Sequence, residues 1–415
     1  MKPFKFLLTL FAIAMTVAAA SAASPKRITA TGETETRTYN VGNIHALSVL
    51  GAFDVVLDNN RTEVELKAPA NMFDYIVITN NKGALTVKFK PNISVNVDAN
   101  SIVLYLPAAG INNIALSGSG RITASDLVAD GDFKISLRGS GDIDIASLRS
   151  EGETSLTLSG SGDINVGTIV AGEVSAMLKG SGDLEIKSID AANKSTIALA
   201  GSGDLEVVSS VRAPIISSSL TGSGDLKVNT AIGNEVEMAL NGSGDAYAKT
   251  IEAYKCTVTL NGTGDASVKT VKADVITATS TGSCTLSLGG SVRKASYKAS
   301  GSAELKASHL LAREVTATCD KKARFNSTLP NRSSAQSTAM PHSNTPARHA
   351  SQAPAISQYH YKSTADYYIY TTLLHLILEK HDSHTLCRPK MRHFFISTPL
   401  CAAAKIFFLN KTKKI

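Results

Sequence analysis

The chain is poor in the residues from which bulky cores, disulfide frameworks and metal sites are built. Its 415 residues include no tryptophan, 6% aromatic residues and five cysteines. Small and β-branched side chains must therefore fill the interior. The cysteines show neither a CxxC pair nor metal-ligand spacing, which predicts free thiols; they lie at positions 256, 284, 319, 387 and 401.

Histidine is absent from residues 116 to 308, the part of the chain with the most regular pattern. An enzyme site needs unlike groups that converge, such as a nucleophile beside a base. We therefore predict a protein that is not an enzyme, with no catalytic, cofactor-binding or metal-binding residue and no cofactor. A polysaccharide-active enzyme remains the less favoured alternative, because the parallel β-helix, which is the fold that the repeats of this chain predict, also carries polysaccharide lyases.

The net charge of +7 is a property of the C-terminal part of the sequence. Residues 320–415 carry 14 Lys and Arg against 4 Asp and Glu, whereas residues 23–319 carry 26 against 31. The body is mildly acidic, and the basic isoelectric point gives no argument for nucleic-acid binding. We predict no nucleic-acid partner.

The N-terminus has the organisation of a secretory signal peptide. Lys2 and Lys5 precede an apolar run from Phe6 to about Ala20, and Ala20-Ser21-Ala22 has the small residues of a cleavage site. The run is shorter than the roughly 20 residues that a membrane span needs, which disfavours an uncleaved anchor. Residues 1–22 are predicted to be removed on export, leaving no transmembrane segment.

A tetrapeptide recurs through the middle of the chain. Gly-Ser-Gly-Asp, or Gly-Thr-Gly-Asp in one copy, occurs seven times between residues 139 and 265. Ten related units begin with glycines at positions 118, 139, 160, 180, 201, 222, 242, 262, 282 and 301. Intervals of 19 to 21 residues indicate a structural unit of fixed length.

Apolar residues keep fixed positions relative to that first glycine. Leucine stands two residues before it, as at Leu158, Leu178 and Leu199, and Ile or Leu stands four residues after it in most units. Period-2 spacing broken by turns predicts short strands, and a unit that cannot bury its own apolar face must stack on its neighbours. The predicted fold is all-β, a right-handed parallel β-helix (solenoid) with coils of about 20 or 21 residues.

The glycine, serine and aspartate of the motif would each form a column along such a solenoid. The glycines predict a sharp corner, and the serines predict a ladder of hydrogen-bonded hydroxyls. For the aspartates, such as Asp204, we predict Asx-turns in which each carboxylate accepts the N–H two residues further on. A row of Ca²⁺ ions and a ligand-directed carboxylate array remain alternatives.

The segments that flank the repeat (116–319) differ from it. Residues 23–115 contain alternating strand patterns, a turn at the sequence NNKG and one possible helical turn at 70–73. Residues 320–415 contain no glycine and are predicted to be disordered or a spurious extension, with one possible helix at 366–380. A zinc site at His381, His384, His393 and Cys387 is a disfavoured alternative.

The segments LSVLGAFDVVLDNN, NNKGALTVKF and SIVLYLPAAGINNIALSGSGRI, together with the Gly-Ser-Gly-Asp series, carry a family resemblance. Over residues 40 to 319 the chain resembles the putative auto-transporter adhesin, head GIN domain family. The resemblance implies an exported bacterial protein with a right-handed β-helix. It also implies that residues 23–115 begin the solenoid rather than form a separate domain.

A rigid solenoid with repeated polar faces suits binding through many weak contacts. Ser159, Thr221, Asn241 and Asn261 flank the predicted corner and extend its polar surface. We therefore predict an adhesin-like module of the periplasm, outer surface or extracellular space that binds surface glycans or extracellular matrix polymers. The alternative is a structural component of the cell envelope without a ligand.

Overall fold

The computed structural model describes residues 25–96, 101–319, 323–326, 336–337 and 357–362. The chain divides into two compact units, Met1–Thr328 with Gln336–His360, and Leu329–Ala335 with Tyr361–Ile415. The first unit contains the solenoid; of the second, only residues 361 and 362 are described. The predicted signal peptide, the possible tail helix and the His381–His393 cluster lie outside the described residues.

The described residues before the repeat form nine strands and one 3-10 helix, Ala70–Tyr75. The strands are β1 (Lys26–Thr29), β2 (Thr34–Tyr39), β3 (Ala46–Leu50), β4 (Asp54–Asp58), β5 (Val64–Pro69), β6 (Ile76–Asn81), β7 (Ala84–Phe89), β8 (Ile93–Asn96) and β9 (Val103–Pro107). The predicted helical turn is confirmed at the position of the 3-10 helix. The predicted turn is confirmed as the β6–β7 hairpin, where Lys82 and Gly83 have φ values of 52° and 88°.

The repeat forms strands that lengthen along the chain. They are β10 (Asn113–Gly118), β11 (Arg121–Ala129), β12 (Phe133–Gly139), β13 (Asp142–Ser150), β14 (Glu153–Leu158), β15 (Ile164–Leu178), β16 (Leu184–Leu199), β17 (Leu205–Arg212), β18 (Ile215–Leu220), β19 (Leu226–Leu240), β20 (Ala246–Gly262), β21 (Ala266–Gly282), β22 (Thr285–Gly301) and β23 (Glu304–Cys319). Three short strands follow: β24 (Arg324–Asn326), β25 (Gln336–Ser337) and β26 (Ser357–Lys362).

The strands wind into a β-solenoid of about 11 turns with coils of about 20 residues. Each coil pairs in parallel with the next, so that Leu158 lies in register with Leu178, and Leu178 with Leu199. All three leucines are buried. The predicted all-β solenoid, with identical apolar residues stacked along its axis, is confirmed.

Each coil of the repeat has three strand segments, which we call its first, second and third faces. In the coil that contains Gly160, they are 153–158, 164–166 and 168–171. The Gly-Ser-Gly-Asp motif forms the corner between the first and second faces, here called the serine corner. Alternate residues of every face point inward, which closes a continuous apolar core.

Strands β3, β4, β7 and β9, which precede the repeat, pair with one another and with its first coil, but they do not stack in chain order. On the first face, β3 lies between β7 and β10; on the second, β4 lies between β9 and β11. The coil built from β3 and β4 is therefore internal. Antiparallel strands continue beyond it, with β6 on β7, β5 on β9 and β2 on β5.

The core changes composition near the C-terminal end of the solenoid. Ser280 and Ala299 take the place of the stacked leucines, and two residues before Ala299 the ring of Tyr297 is buried in register with Ala278. Phe325 packs against Tyr297 with ring centroids 5.2 Å apart. Since β24 pairs with the start of β23, the solenoid continues past residue 319, where the repeat pattern ends.

Two cysteines of the repeat lie in this core. Cys256 and Cys284 are buried free thiols, as predicted. Burial raises the pKa of the Cys256 thiol to about 12. No helix within the described residues has the length and apolar character needed to cross a bilayer.

Candidate functional site

The serine corner brings the backbones of successive coils unusually close together. A Cβ atom on Gly203 would lie 1.9 Å from the carbonyl oxygen of Gly182 in the preceding coil, and one on Gly201 would lie 2.0 Å from that of Gly180. Neither glycine has a φ in the left-handed region. These glycines are needed because only a hydrogen atom fits between the coils.

Backbone hydrogen bonds hold the corner together. The N–H groups of Ser202 and Gly203 both donate to the carbonyl oxygen of Gly180, at N···O distances of 3.1 and 3.3 Å. The same shared carbonyl recurs one coil further on, where Ser223 and Gly224 donate to Gly201. The corner is therefore maintained by the main chain without the serine side chain.

The aspartates complete this backbone ladder. The N–H of Asp204 donates to Oδ1 of Asp183 at 3.0 Å, and the N–H of Asp225 donates to Oδ1 of Asp204 at 2.9 Å. The pattern runs without interruption from the Asp163 carboxylate to the N–H of Thr285. Each carboxylate thus accepts an N–H of the next coil. Where no aspartate precedes, at Asp142 and Glu304, the backbone carbonyls of Gly120 and Cys284 accept this N–H instead.

The prediction of Asx-turns is therefore wrong. The carboxylate does not accept the N–H two residues further on but that of the aspartate one coil away. This hydrogen bond also offsets part of the electrostatic repulsion between stacked carboxylates, because Oδ1 of each carboxylate accepts a polarised N–H. Within the described residues, no group of three or more His, Cys, Asp and Glu is arranged to hold a metal ion.

The hydroxyls of the serine corner point to solvent in all ten units, from Ser119 to Ser302. In the described residues, this column makes one side-chain hydrogen bond, from Thr263 Oγ1 to Ser243 Oγ at 3.1 Å. The predicted ladder of hydrogen-bonded hydroxyls is therefore wrong. The result is a row of exposed hydroxyl groups about 4.8 Å apart that are available to a ligand.

Further polar residues border this row on the first face. Ser159, Thr221, Asn241 and Asn261, which the sequence placed beside the corner, are all exposed. Asn261 Nδ2 donates to Asn241 Oδ1 at 2.9 Å, so this amide pair is ordered along the axis. Threonines also stand in register on neighbouring coils, with Thr257 beside Thr277 and Thr259 beside Thr279. This row of threonines was not singled out from the sequence, although its alternate spacing is visible there.

A shallow groove of about 570 Å³ follows the corner between the second and third faces in the early coils. Small residues occupy this corner, namely Ser125, Ala146 and Gly167. Asp144 and Glu185 also line the groove. Lys187 lines it as well, so apolar side chains lie beside charged groups of both signs. Such a surface suits a sugar ring, which has both apolar and hydrogen-bonding groups. Sequence reasoning missed this groove because no single motif marks it.

Charged side chains also pair between neighbouring coils. Arg121 donates to Asp142 at 2.8 Å, and this bond raises the pKa of the Arg121 guanidinium. Two bonds from Arg293, at 2.7 and 2.8 Å, lower the pKa of Asp274. Exposed pairs of this kind contribute little stability, but they place opposite charges next to each other on adjacent coils.

The model of the putative auto-transporter adhesin, head GIN domain family matches residues 43–230 and 219–335. A putative adhesin from Parabacteroides distasonis has a TM-score of 0.51 and 20% identity, covering 60% of this chain and 100% of that chain. A putative adhesin from Parabacteroides merdae has a TM-score of 0.50 and 18% identity, covering 60% and 99%.

A putative lipid binding protein from Parabacteroides distasonis has a TM-score of 0.49 and 20% identity, covering 58% of this chain and 98% of that chain. At these identities the two adhesin structures show similarity of fold alone. No match was found among curated proteins.

Proposed function

Because the chain belongs to the putative auto-transporter adhesin, head GIN domain family, we propose that it is an exported adhesin-like protein that binds glycans or matrix polymers. The bound polymer lies along the solenoid axis and contacts several coils at once. The protein performs no catalysis in this role, and affinity arises from the number of contacts rather than from one deep pocket.

The observation that carries the proposal is the exposed hydroxyl column of the serine corner. Backbone groups and aspartates already make the hydrogen bonds that hold the corner together, so the serine hydroxyls contribute little to the stability of the fold. A hydroxyl nevertheless stands at this position in every one of the ten units. Hydroxyls can both donate and accept, which suits the hydroxyl, amide and carboxylate groups of glycans.

Binding to an array of glycans and matrix polymers tests the proposal. We expect reproducible binding by the full chain, and weaker binding when Ser181, Ser202 and Ser223 are together replaced by alanine. Loss of three adjacent contacts should weaken the affinity by at least about tenfold, while stability is nearly unchanged because these hydroxyls make no bonds within the described protein.

A control replaces three half-buried hydroxyl residues of the same coils on the third face, Ser188, Ser210 and Thr230, by alanine, with loss of the hydrogen bond from Ser188 Oγ to Thr168 Oγ1. This control should retain binding. Equal loss in both variants would remove the serine corner from the proposal, and no binding to any member of the array would favour a structural envelope component. A fall in the viscosity of a bound polysaccharide would instead favour the enzyme alternative.

A further inference from the structure

The strand β2 has one paired edge and one open edge. It pairs antiparallel with β5, from Thr34 opposite Pro69 to Tyr39 opposite Val64. In the part of the chain that the structure describes, no strand pairs with the other edge of β2. Five of its six residues are exposed, and neither proline nor a bulge interrupts it. An open, regular edge of this kind is able to pair with another strand.

The hydrogen-bond alternation identifies the backbone groups on the open edge. The N–H of Ala70 donates to the carbonyl oxygen of Glu33 at 3.0 Å, in continuation of the β2–β5 register. Antiparallel ladders alternate, so odd-numbered residues of β2 direct their backbone groups toward β5. Thr34, Thr36 and Thr38 therefore direct their N–H and C=O groups toward the open edge.

The charges on β2 are self-complementary. Glu35 and Arg37 lie on one face of the strand and form an ion pair at 2.9 Å, with both side chains about half exposed. The Arg37 guanidinium also lies 3.9 Å from the centre of the Phe73 ring. Two charges of opposite sign thus stand symmetrically on either side of Thr36.

We propose that β2 is a docking edge for a second copy of this chain. The two β2 strands pair antiparallel about a twofold axis at Thr36, with Thr34 of one copy opposite Thr38 of the other. The free backbone groups then meet one another, and Glu35 of each copy faces Arg37 of the other in a close, non-hydrogen-bonded pair. Shifting the register by two residues in either direction would place Glu35 opposite Glu35, or Arg37 opposite Arg37.

The contact is short, so the dimer is weak and reversible. Five paired residues bury less than the roughly 1,200 Å² of a standard stable interface. The register depends on the charges of Glu35 and Arg37, which are about half exposed, and salt weakens exposed ion pairs. We expect concentration-dependent dimers of the full chain that dissociate as salt is raised.

Charge reversal tests the pairing directly. Arg37→Glu or Glu35→Arg places like charges opposite one another and should weaken the dimer by about tenfold or more in sedimentation velocity at low salt. Mixing the two variants should restore a dimer that contains one copy of each, because the pair of like charges in one variant then faces the opposite sign. Recovery on mixing also shows that both variants are folded.

A cysteine at the twofold axis provides a second test. In the proposed register the two Thr36 Cα atoms are about 5.5 Å apart, within the range for a disulfide. Thr36→Cys should therefore give oxidised dimers, whereas Thr34→Cys, displaced from the axis, should not. Equal cross-linking of both variants, a wild-type monomer at the highest attainable concentration, or no recovery on mixing would overturn the proposal. Pairing with an unrelated strand would show itself as binding that survives charge reversal.

Discussion

At the scale of single residues, the aspartate column shows how a side chain can complete a backbone ladder. The carboxylate of the preceding coil accepts the aspartate N–H, which at Asp142, where no aspartate precedes, donates to the carbonyl oxygen of Gly120. Sequence reasoning identified the column and its spacing. It assigned the wrong partner because an Asx-turn needs only local geometry, whereas the observed bond depends on how coils stack.

The hydrogen bond predicts different outcomes for two substitutions of Asp204. Asp204→Asn keeps an acceptor oxygen and reduces repulsion, so its free energy of unfolding should stay within about 0.5 kcal/mol of wild type. Asp204→Ala leaves the Asp225 N–H without this acceptor and should cost about 1 kcal/mol. Urea denaturation measures both.

Equal stabilities of the two Asp204 variants would show that water replaces the carboxylate at no cost. A much larger loss in Asp204→Asn than in Asp204→Ala would contradict the acceptor role. It would indicate instead that the negative charge itself is needed at the corner.

At the scale of the structural element, the serine corner depends on the absence of a side chain. The sequence predicted a corner at each glycine pair, and the structure confirms it. The sequence does not tell whether glycine is needed there because its backbone can adopt a positive φ or because neighbouring coils approach too closely for a side chain. Carbonyl oxygens of the neighbouring coil at about 2 Å from a hypothetical Cβ favour close approach at Gly201 and Gly203.

This distinction predicts a large effect from the smallest possible substitution. Gly203→Ala forces the coils apart at the corner and should lower the free energy of unfolding by about 1 to 3 kcal/mol, because the backbone atoms beside it cannot move without disturbing the coil. Gly131→Ala is the control, because nothing lies within 4 Å of a Cβ there. Thermal unfolding followed by circular dichroism compares them.

Gly131→Ala should be neutral or slightly stabilising, because the alanine restricts the unfolded chain. An equal loss in both variants would show that glycine flexibility, and not the distance between coils, sets the composition of the corner.

At the scale of the whole solenoid, periodicity allowed most of the fold to be predicted. A fixed interval and fixed apolar columns determine both the coil length and the register, as the alignment of Leu158, Leu178 and Leu199 shows. The stacking order of β3, β4, β7 and β9 could not be predicted, because alternating residues identify strands without naming their neighbours. The ends of the solenoid lack the period and were correspondingly less predictable.

The C-terminal end offers a pH test of how the core is closed. Burial raises the pKa of Tyr297, so its neutral phenol stabilises the fold fully below the ordinary tyrosine pKa of about 10. That contribution is lost as the pH rises above 10. Phe325→Ala uncovers the ring and should lower the pH at which Tyr297 ionises, measured as tyrosinate absorbance after subtraction of a Tyr297→Phe variant.

An unchanged titration in Phe325→Ala would mean that Phe325 does not shield the Tyr297 ring. Stability that increases above pH 10 in the wild-type protein would contradict the direction of the shift itself.

The internal position of the β3–β4 coil has a consequence for the order in which the polypeptide folds. Both neighbours of that coil are encoded after it, and its outer neighbour, β7 and β9, precedes the first repeat unit in the chain. A chain that emerges N-terminus first can therefore pair β3 with β7 and β4 with β9 before any repeat unit is present. We expect each later coil to form on the coil before it. Folding then proceeds from the N-terminal coils to the C-terminal ones, and the C-terminal coils unfold first.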